Sequence, residues 1–292
     1  MNYFYSRFDE NRCSTRLRCL LPFGHLDITD KLPSTYRKGD FIFFKTPNNR
    51  ELKKAKEQGA ITVYDICDLW TNFMNRNNIE LMLKECHLIT TSTKGMKSFI
   101  KEKFNKPVVV IPSSLDWDYT KKLKYRKRNR IAVWTSYGHA FYNLEMIYQP
   151  LIESGFTIKV ISSLDFLGRF KYKKNIQFVE WNLKTVDSEM AKADFMIIPL
   201  RNRKFNFVKE EHRMLKAWAI GLPCYATPID SYIDLCDKEG ISKSCLVEDW
   251  SNLEPIEWHP KLRKIALKYS SKNIAERWKL IIELSKVWYK GG

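Results

Sequence analysis

Residues 87–112 read HLITTSTKGMKSFIKEKFNKPVVVIP and place an apolar strand, a helix and a second apolar strand in succession. Thr93 stands where the first strand ends, and its hydroxyl suits the N-cap of the following helix. Uninterrupted apolar runs such as 87–92 and 108–112 are typical of strands that are buried on both faces of a parallel sheet. The stretch therefore predicts a strand–helix–strand unit with parallel strands.

The same alternation runs outward through both halves of the chain. In the first half, further strands are predicted at residues 2–6, 40–45 and 61–66, and helices at 49–58, 78–84 and 93–104. In the second half, strands are predicted at 130–135, 157–162, 175–181, 194–200, 223–227 and 245–248, and helices at 142–153, 186–192, 209–220 and about 260–289. This alternation predicts an α/β fold made of two doubly wound, Rossmann-like domains that face each other across a ligand-binding cleft.

Length and composition agree with two domains of this kind. The 292 residues are 44% hydrophobic, which is enough for packed cores and argues against disorder. No apolar stretch is long enough to span a bilayer, the first residues lack a secretory pattern, and the seven cysteines lack metal-site spacing. We therefore expect a monomeric cytoplasmic protein without a bound metal or a tightly bound cofactor.

The positive charge is concentrated at one place. The net charge is +17, and residues 119–130, YTKKLKYRKRNR, contain seven cations and no anion. Such a segment attracts polyanions: nucleic acid, an anionic membrane surface or a phosphorylated glycan. Alternatively, it is a solvated linker. We predict domains at 1–118 and 131–292, the second including the C-terminal helices, with 119–130 as a basic linker.

Four segments resemble GT-B glycosyltransferases. The stretch Val208–Pro228, VKEEHRMLKAWAIGLPCYATP, resembles their nucleotide-sugar segment with its Ala-x-Gly-x-Pro, and Ala191–Leu200 matches the strand that leads into it. His87–Asp116 resembles the end of the acceptor domain, and Tyr64–Trp70 is similar to an earlier Tyr-Asp-x-x-Asp element. The resemblance covers roughly residues 60–235. It implies a GT-B fold and transfer of a sugar from a nucleotide-sugar donor, such as UDP-glucose.

The chain departs from the pattern of the large retaining family at two positions. That family has two glutamates eight residues apart, but Val208 and Lys216 stand there in this chain. The carboxylate that contacts the donor is therefore absent or moved, to Glu210 or Glu211. This departure leaves the sugar and the stereochemical outcome open.

The donor diphosphate requires cations and helix N-termini around it. Lys209 and Arg213 lie four residues apart, so we expect them on one face of the first turns of a helix, while Arg201, Arg203 and Lys204 follow a strand. The alternative is a solvated helix start and an ordinary basic loop. Trp181 ends a strand where the family holds the base, although such a Trp is more often part of a core. The full donor-binding set is predicted as Ser136, Gly138, Trp181, Arg201, Lys209, Glu210, Glu211 and Arg213.

The acceptor hydroxyl requires a general base if the enzyme inverts configuration. Asp65 and Asp68 end a predicted strand and are the catalytic candidates, with Asp9, Glu10 and His25 as rivals; Asp68 alternatively caps a helix. The predicted acceptor-binding residues are Ser14, Arg16, Arg18, Lys121, Lys122, Lys124, Arg126, Lys127 and Arg128. Asp116, Trp117 and Asp118 have the form of a D-x-D metal motif, but Asp116 matches the end of a GT-B acceptor domain. We interpret that motif as structural.

Two acceptors fit an enzyme of this kind. The first is duplex DNA with a hydroxymethylated base, as in bacteriophage DNA glycosyltransferases, which flip the base out of the helix. The second is a surface glycan reached from an anionic membrane, with residues 94–106 as a cationic amphipathic helix. The alternative for these residues, which we prefer, is an ordinary amphipathic helix packed on the sheet. A third hypothesis is a non-catalytic nucleic-acid-binding protein, or a relative that has lost its activity. Because the chain is short and rich in cations, the sequence favours DNA.

Overall fold

The computed structural model describes residues 1–8, 10–69, 76–116, 130–136, 140–170, 174–251, 253–254 and 259–290. The chain forms two compact units, which are described separately. Unit 1 consists of Met1–Asp118, Val208–Glu210 and Tyr269–Gly292, and unit 2 consists of Tyr119–Phe207 and Glu211–Lys268.

Unit 1 contains a parallel sheet of five strands in the order β1-β2-β3-β4-β5. The strands are β1 (Asn2–Tyr5), β2 (Phe41–Phe44), β3 (Ile61–Asp65), β4 (Leu88–Thr91) and β5 (Val108–Val110). The helices are α1 (residues 13–23, made of Cys13–Thr15, a π-helical turn Arg16–Leu20, and Leu21–Phe23), α2 (Asn49–Glu57), α3 (Arg76–Glu85) and α4 (Lys94–Lys103). As predicted, Thr93 caps α4, since its side chain accepts a hydrogen bond from the Met96 amide at 3.1 Å.

Unit 2 contains a second parallel sheet of five strands, in the order β10-β9-β6-β7-β8. The strands are β6 (Ile131–Thr135), β7 (Thr157–Ser162), β8 (Ile176–Glu180), β9 (Phe195–Ile198) and β10 (Cys224–Ala226). The helices are α5 (Phe141–Glu153), α6 (Leu167–Phe170), α7 (Val186–Met190), α8 (Lys204–Phe207), α9 (His212–Ile220), α10 (Asp230–Glu239) and α11 (Pro260–Leu267). The predicted α/β class with two parallel sheets is confirmed.

The strand order differs between the units in a way that matters for binding. In unit 1 the order advances in one direction. In unit 2 the chain goes from β6 outward to β8 and then returns to place β9 on the other side of β6. Such a reversal separates the loops at the carboxyl ends of β6 and β9 and opens a crevice there, which is where ligands of open α/β sheets bind.

The last helix, α12 (Ser271–Lys290), belongs to unit 1. Its Trp278 is fully buried, and the indole packs edge-on against Phe23 at 5.5 Å and Phe43 at 4.9 Å between ring centroids. The sequence prediction assigned this helix to the second domain. That boundary differs from the structure, because amphipathic periodicity identifies a helix without showing which sheet its apolar face covers.

Two local predictions also need correction. Residues 245–248 do not form a strand: a 3-10 turn occupies Lys243–Cys245, and Leu246 makes a single bridge to Ala226. The helix expected at 209–220 begins at His212, while its end at Gly221 is confirmed, with a φ of 86° that suits a glycine C-cap. Within the described part of the chain, no helix is both long and apolar enough to cross a membrane.

Candidate functional site

A buried carboxylate lies at the carboxyl end of β3 in unit 1. The Asp65 side chain is fully buried and accepts hydrogen bonds from Lys45 Nζ at 2.7 Å and from Arg18 Nε at 3.1 Å. Thr90 Oγ1 donates to the same carboxylate at 2.8 Å, and Arg18 also donates to the Ile111 carbonyl. Arg18 Nη2 also donates to Asp65 Oδ1, so four donor groups, on α1, on the residue after β2 and on β4, fix Asp65 in place.

The ion pairs set the protonation of this group. Burial by itself raises the pKa of the Asp65 carboxyl, but Arg18 and Lys45 outweigh burial and hold that pKa well below its usual range. Burial raises the pKa of the neighbouring Cys67 thiol to about 11, although Lys45 acts in the opposite direction. Asp65 thus remains ionised but is inaccessible, so its geometry favours a structural role over the general base expected from the sequence.

Asp68 is the accessible carboxylate at this edge of the sheet. Its side chain is 40% exposed, and its Oδ1 accepts a hydrogen bond from Lys209 Nζ at 2.5 Å. Lys209 lies in the short segment Val208–Glu210, which belongs to unit 1 although its chain neighbours belong to unit 2. Lys209 therefore precedes α9 and does not share a helix face with Arg213, which corrects the expectation from their spacing.

Two further hydrogen bonds hold this segment against unit 1. Thr93 Oγ1 donates to the Val208 carbonyl at 3.1 Å, and Ser113 Oγ donates to Glu210 Oε1 at 2.9 Å. Glu210 Oε2 is buried and accepts no hydrogen bond from the described residues. Glu210, expected to contact the donor, thus lies with the carboxyl ends of β4 and β5 in unit 1, whereas Glu211 lies in unit 2 and precedes α9.

The other acceptor-side candidates are spread over unit 1. Arg16 is buried and its Nε donates to Asp116 Oδ1 at 2.6 Å, so this pair joins α1 to the end of the segment after β5. This supports a structural role for Asp116.

Ser14 is half-buried in α1, and Glu10 is exposed and offers its carbonyl to Arg16. The exposed His25 lies 2.8 Å from Ser271 Oγ. Outside the described residues lie Asp9, Trp117, Asp118, Lys121, Lys122, Lys124, Arg126, Lys127 and Arg128.

In unit 2, basic side chains gather at the switch point between β6 and β9. The Arg201 and Arg203 guanidinium groups lie 5.6 Å and 4.6 Å from the ring centroid of Tyr142, in the first turn of α5. The Arg201 amide donates to buried Asn143 Oδ1 at 3.0 Å, which ties the loop after β9 to α5. The N-cap of α5, Ala140, has no side-chain cap, and the first turn contains no acidic residue. This arrangement favours an anion.

The remaining donor candidates lie along the same edge. Arg213 is half-buried in the first turn of α9 and forms no hydrogen bond or ion pair within the described residues. Trp181 follows β8 and is half-buried. Ser136 follows β6, and its carbonyl accepts a hydrogen bond from Ser162 Oγ at 2.8 Å. Gly138 lies outside the described residues. β8 and β9 are three strand spacings apart, about 14 Å, so Trp181 and Arg201 mark two separate points on this edge.

Lys216, at the position where the retaining family has a glutamate, is mostly buried. Its Nζ lies 3.0 Å from Asp187 Oδ1, and its side chain is only 8% exposed. Lys216 therefore joins α9 to α7 within unit 2.

We expect Lys216→Glu to destabilise the protein by about 1–3 kcal/mol, because the substitution buries a carboxylate beside Asp187. Urea-induced unfolding measures the change. Lys184→Glu, at an exposed lysine of unit 2, is the matched control and should change stability by less than about 0.5 kcal/mol. A Lys216→Glu variant with full stability would show that the ion pair is not structural.

Sequence reasoning missed Lys45, Ser113 and Thr93 as parts of this site. Each of these residues follows the carboxyl end of a strand in unit 1. Because ligand-binding residues of parallel sheets lie at that end, their position after a predicted strand was the sequence signal that could have identified them. Within the described ranges, no three His, Cys, Asp or Glu side chains gather to form a metal-binding group.

Comparison with known proteins gives likenesses of structure alone. No family model matches the chain, and no curated protein matches it in sequence. The chain resembles the glycosylation-associated protein (Gap123) complex of Streptococcus agalactiae (TM-score 0.40, 13% identity), covering 89% of this chain and about half, 54%, of that one. It resembles the UDP-N-acetylglucosamine 2-epimerase of Rickettsia bellii (TM-score 0.44, 12% identity), covering 86% and 74%. It also resembles a DNA-modifying beta-glucosyltransferase solved with and without uridine diphosphoglucose (TM-score 0.46, 13% identity), covering 87% and 80%.

Proposed function

We propose that this protein is a nucleotide-sugar-dependent glycosyltransferase whose donor binds at the carboxyl edge of the unit 2 sheet. The observation that carries the proposal is the switch point between β6 and β9. There, Arg201 and Arg203 lie over Tyr142 beside the uncapped N-terminus of α5. The segment Val208–Pro228, with its Ala-x-Gly-x-Pro, supports the same assignment.

The leaving group of such a transfer is a nucleoside diphosphate. Its negative charge increases as the bond to the anomeric carbon breaks, and fixed cations aimed at the diphosphate stabilise that transition state. Arg201, Arg203 and Arg213 take this role in the proposal. Trp181, on the far side of the sheet edge, stacks on the base.

The acceptor hydroxyl loses its proton to Asp68. The hydroxyl oxygen attacks the anomeric carbon, the bond to the diphosphate breaks, and the proton goes to the Asp68 carboxylate, so the displacement inverts configuration. Asp68 suits this role because it is accessible, whereas Asp65 is buried and bound by four donors. Lys209, which pairs with Asp68, positions it.

The acceptor in this proposal is a hydroxymethylated base in duplex DNA. The net charge of +17 supports a polyanion. An assay supplies radiolabelled UDP-glucose with plain duplex DNA, hydroxymethylated duplex DNA or a lipid-linked glycan. We expect label on the hydroxymethylated DNA alone. Transfer to the lipid-linked glycan alone would replace DNA with a surface glycan as the acceptor.

Arg213→Ala is expected to lower kcat/KM for the nucleotide sugar by about 10²-fold, because it removes one cation from the diphosphate. The thermal shift that the nucleotide sugar produces in the intact protein should also shrink, because a ligand that binds only the folded state stabilises it. Arg50→Ala, at an exposed arginine of α2, is the matched control and should behave as the parent protein. Parent-like kinetics of Arg213→Ala would exclude that residue from the site.

A further inference from the structure

A groove runs between α4 and the edge strand β5 of unit 1. Its volume is about 730 Å³, and it is lined by Lys94, Lys97, Ser98, Lys101 and the two valines of β5, Val109 and Val110. The three lysines are spaced i, i+3 and i+7, so they follow one face of the helix. A continuous cationic wall therefore borders this groove.

Two of these lysines, Lys97 and Lys101, have few acidic neighbours. Residues 94–106 include five lysines against one acidic residue, Glu102. Within the described residues, no carboxylate lies within 4 Å of Lys97 or Lys101. Surface lysines that are not bound by acidic neighbours remain available for an external anion.

The groove is not suited to a membrane. A helix that lies in a bilayer interface needs an exposed apolar face. The apolar residues Met96 and Ile100 of α4 are buried against the sheet, and none of the large exposed apolar side chains of the described chain lies between residues 94 and 110. The groove thus combines three lysines with two half-buried valines, Val109 and Val110, and has no large exposed apolar side chain that could insert into a bilayer. This lining matches a phosphodiester strand better than a lipid surface.

We propose that this groove binds the sugar–phosphate backbone of duplex DNA beside the modified base; this deepens the proposed function and rests on it. Lys94 to Lys101 extend about 10 Å along the helix axis, at 1.5 Å per residue. Successive phosphates of one DNA strand rise about 3.4 Å along the duplex axis, and the strand winds around that axis, so a row of three lysines of this length pairs with about one phosphate for each lysine. Lys94, at the start of α4, lies on the same edge of the sheet as Asp68, and Lys101 leads away from it.

The test is the salt dependence of duplex DNA binding by the full chain. Lys94, Lys97 and Lys101 are replaced together by glutamine, which keeps helix propensity similar. Three lost phosphate contacts should reduce the slope of log affinity against log salt by about 2.7. Between 50 and 200 mM salt, the affinity of the parent protein should therefore fall about 40-fold more than that of the variant.

Two matched controls show whether the change in slope depends on where the positive charges lie or only on the net charge. Lys31→Gln, Lys53→Gln and Lys279→Gln together remove the same net charge at exposed lysines elsewhere in unit 1 and should leave the slope nearly unchanged. Replacing Lys94, Lys97 and Lys101 by arginine keeps the charge and should keep the slope. Thermal unfolding of each variant verifies that it is folded.

An unchanged slope in the folded glutamine variant would overturn the proposal, as would a parent protein that binds anionic phosphatidylserine vesicles through these lysines but not duplex DNA. If DNA binds with the expected slope change but no sugar is transferred to it, the groove stands and the proposed enzymatic function fails. DNA binding in the groove and sugar transfer to DNA can therefore be refuted independently.

Discussion

Asp68→Asn is expected to lower kcat by about 10²–10⁴-fold, because an amide cannot take the proton of the acceptor hydroxyl. The substitution keeps the size of the side chain and still offers an oxygen to Lys209, which lies 2.5 Å from Asp68 Oδ1. The side chain is 40% exposed, so the fold should tolerate the change. Steady-state kinetics with saturating donor and acceptor measure the effect.

The form of the kinetic change distinguishes a general base from a binding residue. We expect kcat to fall while KM for the nucleotide sugar stays nearly constant. Asp30→Asn, at an exposed aspartate of unit 1, should leave both unchanged. If Asp68→Asn raises KM and leaves kcat intact, Asp68 binds the acceptor without acting as the base.

Asp65→Asn is expected to destabilise unit 1 by about 3–5 kcal/mol. The variant leaves two buried cations, Arg18 and Lys45, without their shared carboxylate, and the cost of burying an uncompensated charge is large. Urea unfolding measures the loss. Asp27→Asn, at an exposed aspartate, is the matched control and should change the free energy of unfolding by less than about 0.5 kcal/mol.

The same ion pairs give stability a defined dependence on pH. The pKa of Asp65 is lowered in the folded protein, since Arg18 and Lys45 outweigh burial, so its contribution is complete above the unfolded pKa of about 3.9. That contribution is lost as the pH falls below this value. Burial lowers the pKa of Lys45 but Asp65 raises it further, so the contribution of Lys45 is complete below about pH 10.4 and is lost above it.

The Asp65→Asn variant should therefore show a flatter loss of stability below about pH 4 than the parent protein. Urea unfolding between pH 2 and pH 5, expressed as the difference between the two proteins, measures it. Equal slopes in both proteins would mean that Asp65 is not ion-paired in solution.

The parallel sheets were predictable because several of their strands, such as β2, β3 and β9, are buried at every position. The run FIFF in β2 is apolar at every position. A strand that is covered on both faces is apolar throughout, so it is recognised from a short continuous apolar run. Thr93 and Gly221 marked the ends of two helices because capping depends on local chemistry. Buried strands and helix caps each depend on a few consecutive residues, so both can be predicted from the sequence.

The content of the candidate site was harder to predict because it depends on long-range contacts. Lys209 and Glu210 follow the unit 2 loop in sequence, yet their side chains bond to Asp68 and Ser113 in unit 1. Arg18 and Lys45 were not predicted as partners of Asp65, because they lie in α1 and directly after β2, 47 and 20 residues away. Periodicity and spacing relate residues that are close together in the sequence. They do not show which side chains from distant parts of the chain form ion pairs.

Transfer of glucose to hydroxymethylated DNA can be detected directly on the DNA. Hydroxymethylated duplex DNA is incubated with UDP-glucose and the intact protein, then digested to nucleosides and analysed by mass spectrometry. We predict a glucosylated hydroxymethyl nucleoside with the parent protein and almost none with Asp68→Asn, although that variant still shows the thermal shift with UDP-glucose. Glycosyl transfer to DNA is ruled out if the parent protein leaves the nucleosides unmodified with UDP-glucose and with every other nucleotide sugar that stabilises it.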